Sequence, residues 1–391
     1  MSQKDTNCRL PGQPLDFSCS PRRYSGGDFH QEGVEAFFYD GPSWRGRPTR
    51  VFAWYGRPAE ASPAHPVPGV VLIHGGGATA LADWVKLWNA RGFAALAMDT
   101  CGGVPGWSPN PYFQQEWPRH PHSGPAGWGR FEESGLPVQE QWMYHAVAAV
   151  GNARTLLASF PEVDGTKIGW TGISWGAVIG CLAAGLVPEF RFAIPVYGCG
   201  LWNMPESSLL GEKETREQRD AWFRLWDPAH YLPAATTPFL WLTDAEDAPF
   251  PLSAWSRSSS LPAGPRFRSL RIDYPHDHTR CWSARTIFDF AESVLAETPL
   301  PRWEAPQRTG RTISARLSLA GRKITTAELC FTRGGGCWQD RRWHPVPAKA
   351  GSDLVEAEVP PLTQAAFLRI QDDHGSLWTS DVLAWESDSS S

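Results

Sequence analysis

The stretch KIGWTGISWGAVIG, residues 167–180, is apolar and β-like up to Ile173 and helix-like from Trp175, with Ser174 at the change. A strand that turns directly into a helix lifts its corner residue above the edge of a sheet, and only small neighbours, here Gly172 and Gly176, let the backbones approach. On a parallel sheet such corners gather at the carboxyl ends of the strands. A pentapeptide of the form G-x-S-x-G arises by chance too often to stand alone, so the surrounding chain decides what Ser174 does.

Upstream, GVVLIHGGG (69–77) is a buried run ending in glycines, followed by ALADWVKLWNARG (80–92) with helical spacing and the run FAALAMD (93–99), which makes one β-α-β unit. Residues 34–40 and 49–55 read as an entry hairpin. Val138 to Phe160 places Trp142, Ala146, Ala149, Ala153, Leu156 and Phe160 on one helical face, ahead of the strand that ends at Ser174. The helix after Ser174 offers Ala177, Gly180, Ala183 and Ala184 for close packing on a sheet. FAIPVYG (192–198), PFLWLTD (238–244) and RFRSLRID (266–273) are further strands, 212–226 is a polar helix, and WSARTIFDFAESVL (282–295) is a closing amphipathic helix. Strands alternating with helices predict an α/β fold, a mostly parallel sheet covered by helices on both faces. Beyond Pro301 short alternating runs separated by GGG, KAGSD and DDHG predict a small all-β sandwich. The expected organisation is an N-terminal extension (1–33), a catalytic domain (34–300) with insertions at 101–137 and 200–232, a C-terminal β-sandwich domain (301–386) and a disordered serine-rich tail (387–391).

Composition narrows the function. The 391 residues are 42% hydrophobic and 20% charged with a net charge of −5, which provides no basic field for nucleic acid. No apolar run is long enough to span a membrane and the first twenty residues lack a secretory pattern, so the expectation is a cytoplasmic protein without a membrane partner, export staying open if a leader was removed. The eight cysteines show no metal-like spacing and read mostly as buried thiols; Cys330 and Cys337 flank a glycine turn, and in a reducing compartment they stay unpaired. Twenty-one tryptophans and 35 prolines predict long ordered loops with aromatic anchors, above all the insertion at 101–137.

A serine that attacks an ester at neutral pH needs a base, a group to orient the base, and donors for the oxyanion. The corner at Ser174 presents the hydroxyl and aims the Trp175 amide, at a helix N-terminus, toward the oxyanion. The turn HGGG supplies further unobstructed amides at Gly76 and Gly77, while His74 braces it. The base comes from YPHDHTRCW, as His276 or His278, and the acid from the end of PFLWLTD, as Asp244 or Asp247; Asp99 ends an earlier strand and reads as structural. His120, His122 and His230 read as loop polars, and Asp372, Asp373 and His374 as a hairpin turn. Neither a metal nor an organic cofactor is called for.

With GWTGISWGA, VVLIHGGGATALADWVKLWNARGFAALAMD and WDPAHYL…TPFLWLTDAEDAPFP in place, the chain resembles the α/β-hydrolase superfamily over residues 34–298, and more narrowly its dienelactone-hydrolase and acetyl-xylan-esterase-like branch. The resemblance implies the order Ser, Asp, His, and favours Asp247 over Asp244 and His278 over His276. Where dienelactone hydrolases carry a cysteine, this chain has Ser174, which implies ordinary ester substrates; Ala177 stands where many relatives have a third glycine.

Trp107, Trp117, Trp128 and Trp142, from or bordering the inserted loop, are candidate walls for a sugar or a bulky acyl or alcohol group. The expected activity is therefore a serine carboxylesterase acting on small-molecule or carbohydrate esters, foremost a carbohydrate acetyl esterase, with homo-oligomerisation left open. The alternatives are a prolyl-oligopeptidase-like peptidase, a glucuronoyl-type esterase and an inactive binding module.

Overall fold

A computed structural model of the chain describes residues 10, 15–106, 116–129, 131–187, 190–210 and 214–385. The tail 387–391 lies outside the described residues. The larger unit is built on nine strands in the order β1-β2-β3-β5-β4-β6-β7-β8-β9. β1 (Arg23–Ser25), β2 (Glu35–Trp44) and β3 (Arg47–Gly56) are antiparallel. The hairpin is longer than its apolar core suggests because Arg45 and Gly46, both at positive φ (49° and 73°), close it in two residues. β3 also runs antiparallel to β5 (Ala94–Met98), and β4 (Val67–Ile73), β6 (Val163–Ile173), β7 (Ala193–Val196), β8 (Phe239–Asp244) and β9 (Arg266–Arg271) continue the sheet in parallel.

Two pairs of helices flank this sheet. α1 (Ala82–Asn89) meets α6 (Arg285–Leu295) through Trp88 and Phe288, whose ring centroids are 5.0 Å apart. α2 (Trp142–Ala158) and α3 (Trp175–Leu186) pack together, and Gly180 of α3 leaves room for the Trp170 ring of β6. α2 begins four residues later than the apolar spacing suggests, a 3-10 turn over Val138–Glu140 leading into it. α4 (Arg216–Trp226) turns Trp222, Phe223 and Trp226 inward, and the seven-residue α5 (Leu252–Ser258) is too short and serine-rich to show in the sequence pattern. This is the α/β-hydrolase topology. Among the described residues no helix is long and apolar enough to cross a membrane.

After α6 the chain enters two antiparallel five-stranded sheets. One contains β10 (Arg302–Trp303), β11 (Gln307–Thr309), β12 (Thr312–Ser318), β15 (Lys349–Ala350) and β16 (Leu354–Glu358). The other contains β13 (Ile324–Thr332), β14 (Trp343–Pro347), β17 (Ala365–Asp372), β18 (Leu377–Thr379) and β19 (Leu383–Ala384). Cys330 and Cys337 are free thiols. Asp372, Asp373 and His374 make the β17–β18 turn, but Asp372 is buried: with Asp289 of α6 it grips the buried Arg322, and it accepts a 2.8 Å bond from Trp378 Nε1. The turn is thus also a charged joint between the β domain and α6 of the larger unit.

Candidate active site

Ser174 has φ 55° and ψ −117°, a conformation that costs a non-glycine residue about 1–3 kcal/mol and persists only where its surroundings hold it. They do so here. The Ser174 amide donates to the Val196 carbonyl at 2.8 Å, and its own carbonyl accepts from Ala177 at 2.9 Å and Val178 at 3.2 Å. A Cβ at Gly172 would meet the Gly176 carbonyl at 2.5 Å, and one at Gly176 would strike the carbonyls of Ile73 and His74. The Ala177 Cβ faces Gly198, where an added Cβ would stand 2.9 Å from it, so Gly198 leaves the space that the alanine methyl occupies.

Val196 ends β7, and the next residue, Tyr197, supports His276. Its ring lies 4.4 Å from that of His276 at an interplanar angle of 24°, and its hydroxyl donates to the Pro275 carbonyl at 2.9 Å. Phe250 lies near-parallel to the same ring, with centroids 6.4 Å apart. So held, His276 directs Nδ1 to Oδ2 of Asp247 at 2.7 Å. The carboxylate can only accept, which puts the proton on Nδ1 and leaves Nε2 as an acceptor. Asp247 is 3% exposed, and its Oδ1 accepts from the Phe250 amide at 2.7 Å.

Asp244 has a different task. Its Oδ1 accepts from the Glu246 amide at 2.8 Å and its Oδ2 from the Tyr274 amide at 2.6 Å, so it ties the loop carrying Asp247 to the loop carrying both histidines. Burial pushes its carboxyl above the usual range, against the pull of those two amides.

The pairing expected for His278 therefore belongs to His276, and the sequence reading is corrected on this point. Two residues further along, the chain has turned, and the His278 ring lies against Gly75 of the glycine turn. Burial, followed by the neighbouring His276 and His74, pushes its imidazole down to about 4.

His74 Nδ1–H donates to the Gly75 carbonyl at 2.9 Å while Nε2 accepts from the Thr100 amide at 3.0 Å, one tautomer satisfying both. Burial lowers its affinity for a proton, so it stays neutral. Gly77 takes a positive φ of 77°, and Gly76 lies beside Trp175, where an added Cβ would stand 3.9 Å from that of the tryptophan. The turn and the start of α3 thus flank Ser174 together. Asp99 organises the loop behind them, accepting from Thr79 Oγ1 at 2.8 Å, Cys101 N at 2.9 Å and Gly103 N at 2.8 Å. His74, Asp99 and Cys101 have ligand-type atoms within 4.8 Å of one another, but these hydrogen bonds and the neutral, burial-raised thiol make the trio a brace.

The tryptophans divide by burial. Trp107 lies outside the described residues. Trp117 is buried and donates Nε1–H to the Gly77 carbonyl at 3.2 Å, holding the glycine turn from behind. Trp142 is 0% exposed and packs on Gly129 and Trp128, so its expected place in a pocket wall is corrected to the core. Trp128 is half-buried, stands edge-on to His74 with centroids 6.1 Å apart, and accepts from Trp175 Nε1 at 3.0 Å. Trp222 adds a 2.8 Å bond to the Gly129 carbonyl. Indole N–H groups thus tie Trp117 to the glycine turn, and Trp128 and Gly129 to Trp175 and Trp222. Tyr197 escapes a motif-based reading; its only signal is an aromatic residue at the carboxyl end of an apolar strand.

The family model for acetyl xylan esterase (AXE1) matches residues 20–231. Among solved structures, acetyl xylan esterase 1 from Thermoanaerobacterium sp. JW/SL YS485 is 18% identical with a TM-score of 0.53, covering 72% of this chain and 89% of that one. An acetyl xylan esterase from Paenibacillus sp. R4 is 22% identical with the same TM-score of 0.53 and the same coverage, 72% and 89%. Among curated protein sequences none matches the chain.

Proposed function

Because the chain belongs to the acetyl xylan esterase (AXE1) family, and is thereby a carboxylic ester hydrolase, we propose that it removes short acyl groups, foremost acetyl, from carbohydrates through an acyl-enzyme on Ser174. The observation that carries this reading is the 2.7 Å bond between His276 Nδ1 and Asp247, which leaves Nε2 as the proton acceptor at the end of the sheet where the strained Ser174 stands.

Ser174 Oγ attacks the acyl carbon and gives its proton to His276 Nε2. The tetrahedral oxyanion is met by amides of Gly76, Gly77 and Trp175, each such donor supplying about 3–4 kcal/mol to the transition state. The imidazolium returns the proton to the sugar oxygen as the C–O bond breaks, leaving acyl-Ser174 and the free alcohol. Water then repeats the sequence, its proton passing to His276 and on to Ser174 as acetate leaves. Asp247 holds the productive tautomer and offsets the positive charge on the ring. The exposed part of Trp128, beside the oxyanion turn, gives a sugar ring an apolar face to lie on.

The test is a panel of acetylated sugars, p-nitrophenyl esters of rising acyl length, glucuronate esters and proline amides, run on the natural enzyme and on Ser174→Ala. Acetyl esters are the expected substrates, and loss of the nucleophile lowers turnover by on the order of 10⁶. Retained hydrolysis in Ser174→Ala, or turnover confined to proline amides, overturns the reading.

A further inference from the structure

We propose that His278 is a positioning residue of the oxyanion turn: its imidazole, lodged against Gly75, keeps the Gly75–Gly77 backbone in place while His276 moves the proton. The proposal rests on the reading of Ser174 as the nucleophile.

The two imidazoles leave one short loop in different directions. His276 points to Asp247 over the Tyr197 ring, and His278 to the glycine turn after β4. The backbone of His278 is well fixed: its carbonyl accepts from the buried Cys281 thiol at 3.1 Å, Cys281 N donates to the Asp277 carbonyl at 3.2 Å, and Asp277 Oδ1 accepts from Thr279 Oγ1 at 2.6 Å. At the other end, a Cβ on Gly75 would strike His278 Nε2 and come within 3.0 Å of the Ile173 carbonyl. Gly75 therefore sits in a slot with the residue preceding the nucleophile on one side and His278 on the other. Its carbonyl is tied in turn by His74 Nδ1 at 2.9 Å and the Ala78 amide at 3.2 Å.

A turn gripped at these points has little freedom to swing its amides away from the oxyanion, and fixed donors are what make such a site effective. Removing one grip leaves the donors present but loosely aimed. The kept charge state fits the role: His278 stays neutral beside the imidazolium that must form on His276, so it adds no repulsion to that step.

The experiment compares His278→Ala, His278→Gln, Gly75→Ala and the double variant Gly75→Ala/His278→Ala on p-nitrophenyl acetate, with active sites counted by a serine-directed phosphonate. His278→Ala is expected to lower kcat per titrated site about tenfold, to leave KM unchanged and to weaken a boronic-acid transition-state analogue by the same factor, the pattern of an interaction made only in the transition state. His278→Gln, which keeps the reach of the ring, recovers most of the loss. Gly75→Ala and His278→Ala disturb one contact and are expected not to add. Unchanged kcat in His278→Ala, a rise confined to KM, or full additivity overturns the proposal. A loss as complete as that of Ser174→Ala, with His276→Ala still active, also overturns it by making His278 the base. If His278→Ala does not fold, Gly75→Ala decides: a fall in kcat per titrated site with KM unchanged supports the proposal, and unchanged kcat overturns it. Failure of the nucleophile reading looks different: no phosphonate labelling, and hydrolysis surviving in Ser174→Ala.

Discussion

Tyr197 and His276 lie face to face, 4.4 Å between ring centroids, although they come from different strand ends and Tyr197 must adopt a φ of 66° to reach. The imidazole is thereby restricted to the plane in which Nδ1 meets Asp247. This predicts a sharp difference between two neighbouring aspartates. Asp247→Asn presents the wrong hydrogen-bonding pattern to Nδ1 and is expected to lower kcat about 10⁴-fold with the fold intact. In Asp244→Asn the acceptor toward the Tyr274 amide can survive, and the expected effect is a lower unfolding midpoint with a much smaller loss of turnover. Steady-state kinetics beside thermal unfolding of both variants checks this, and equal losses of kcat would count against the assignment.

How much of this was legible in the sequence depends on where local pattern ends and tertiary contact begins. The corner at Ser174 and the glycine turn at 74–77 show themselves because their backbone geometry demands small residues at fixed spacing. The parallel sheet and the β domain show themselves by period. The choice between His276 and His278 does not: both lie in one aperiodic loop, and what separates them is the Tyr197 ring, the Phe250 ring and a slot beside Gly75, all supplied by distant segments. Trp142 misleads for a related reason. Its place on an amphipathic helix next to a tryptophan-rich loop suits a pocket wall or a core equally, and only the closure of Gly129 over its ring decides for the core.

His145, on α2, couples stability to acidity. It is 8% exposed, its Nε2–H donates to the Gln139 carbonyl at 2.9 Å, and burial pushes its imidazole down to about 4. In the unfolded chain the same ring takes up a proton at its ordinary value near 6.5. Above that value neither state is protonated and the group has no effect; as the pH falls from 6.5 toward 4 only the unfolded state gains the proton, so stability is lost across that window. At pH 5 the loss from this one residue is about 2 kcal/mol. Urea unfolding at pH 7.5 and pH 5 is expected to show a lower midpoint at pH 5, and His145→Gln, which cannot be protonated, to reduce the difference. An unchanged pH dependence in His145→Gln would exclude this residue as a source.

Arg322 is the test of how the β domain is joined to the rest. Its guanidinium is buried and donates to Asp289 Oδ1 at 3.2 Å and Ser293 Oγ at 3.1 Å on α6, and to Asp372 Oδ2 at 2.7 Å in the β17–β18 turn. Ser376 Oγ adds a 2.7 Å bond to Asp289, and the Leu377 amide donates to Thr286 Oγ1 of α6 at 2.9 Å, so the joint is a closed polar network with one cation at its centre. Burial alone would raise the Asp289 carboxyl; the bonds from Arg322 and Ser376 outweigh it and hold it below the usual range. Arg322→Ala strands two buried carboxylates, and breaking a buried pair from one side costs about 3–5 kcal/mol. Arg322→Lys keeps the charge but lacks the planar fork that reaches both aspartates, and should recover only part of that. Chemical unfolding of the two variants, followed by limited proteolysis around residues 298–308, is expected to rank them natural, then Lys, then Ala, with cleavage between α6 and β12 rising in the same order. If Arg322→Ala unfolds at the natural midpoint, the network is not what couples the domains, and the contact between the Leu270 amide of β9 and Thr379 Oγ1 of β18, at 3.1 Å, is left as the next place to look.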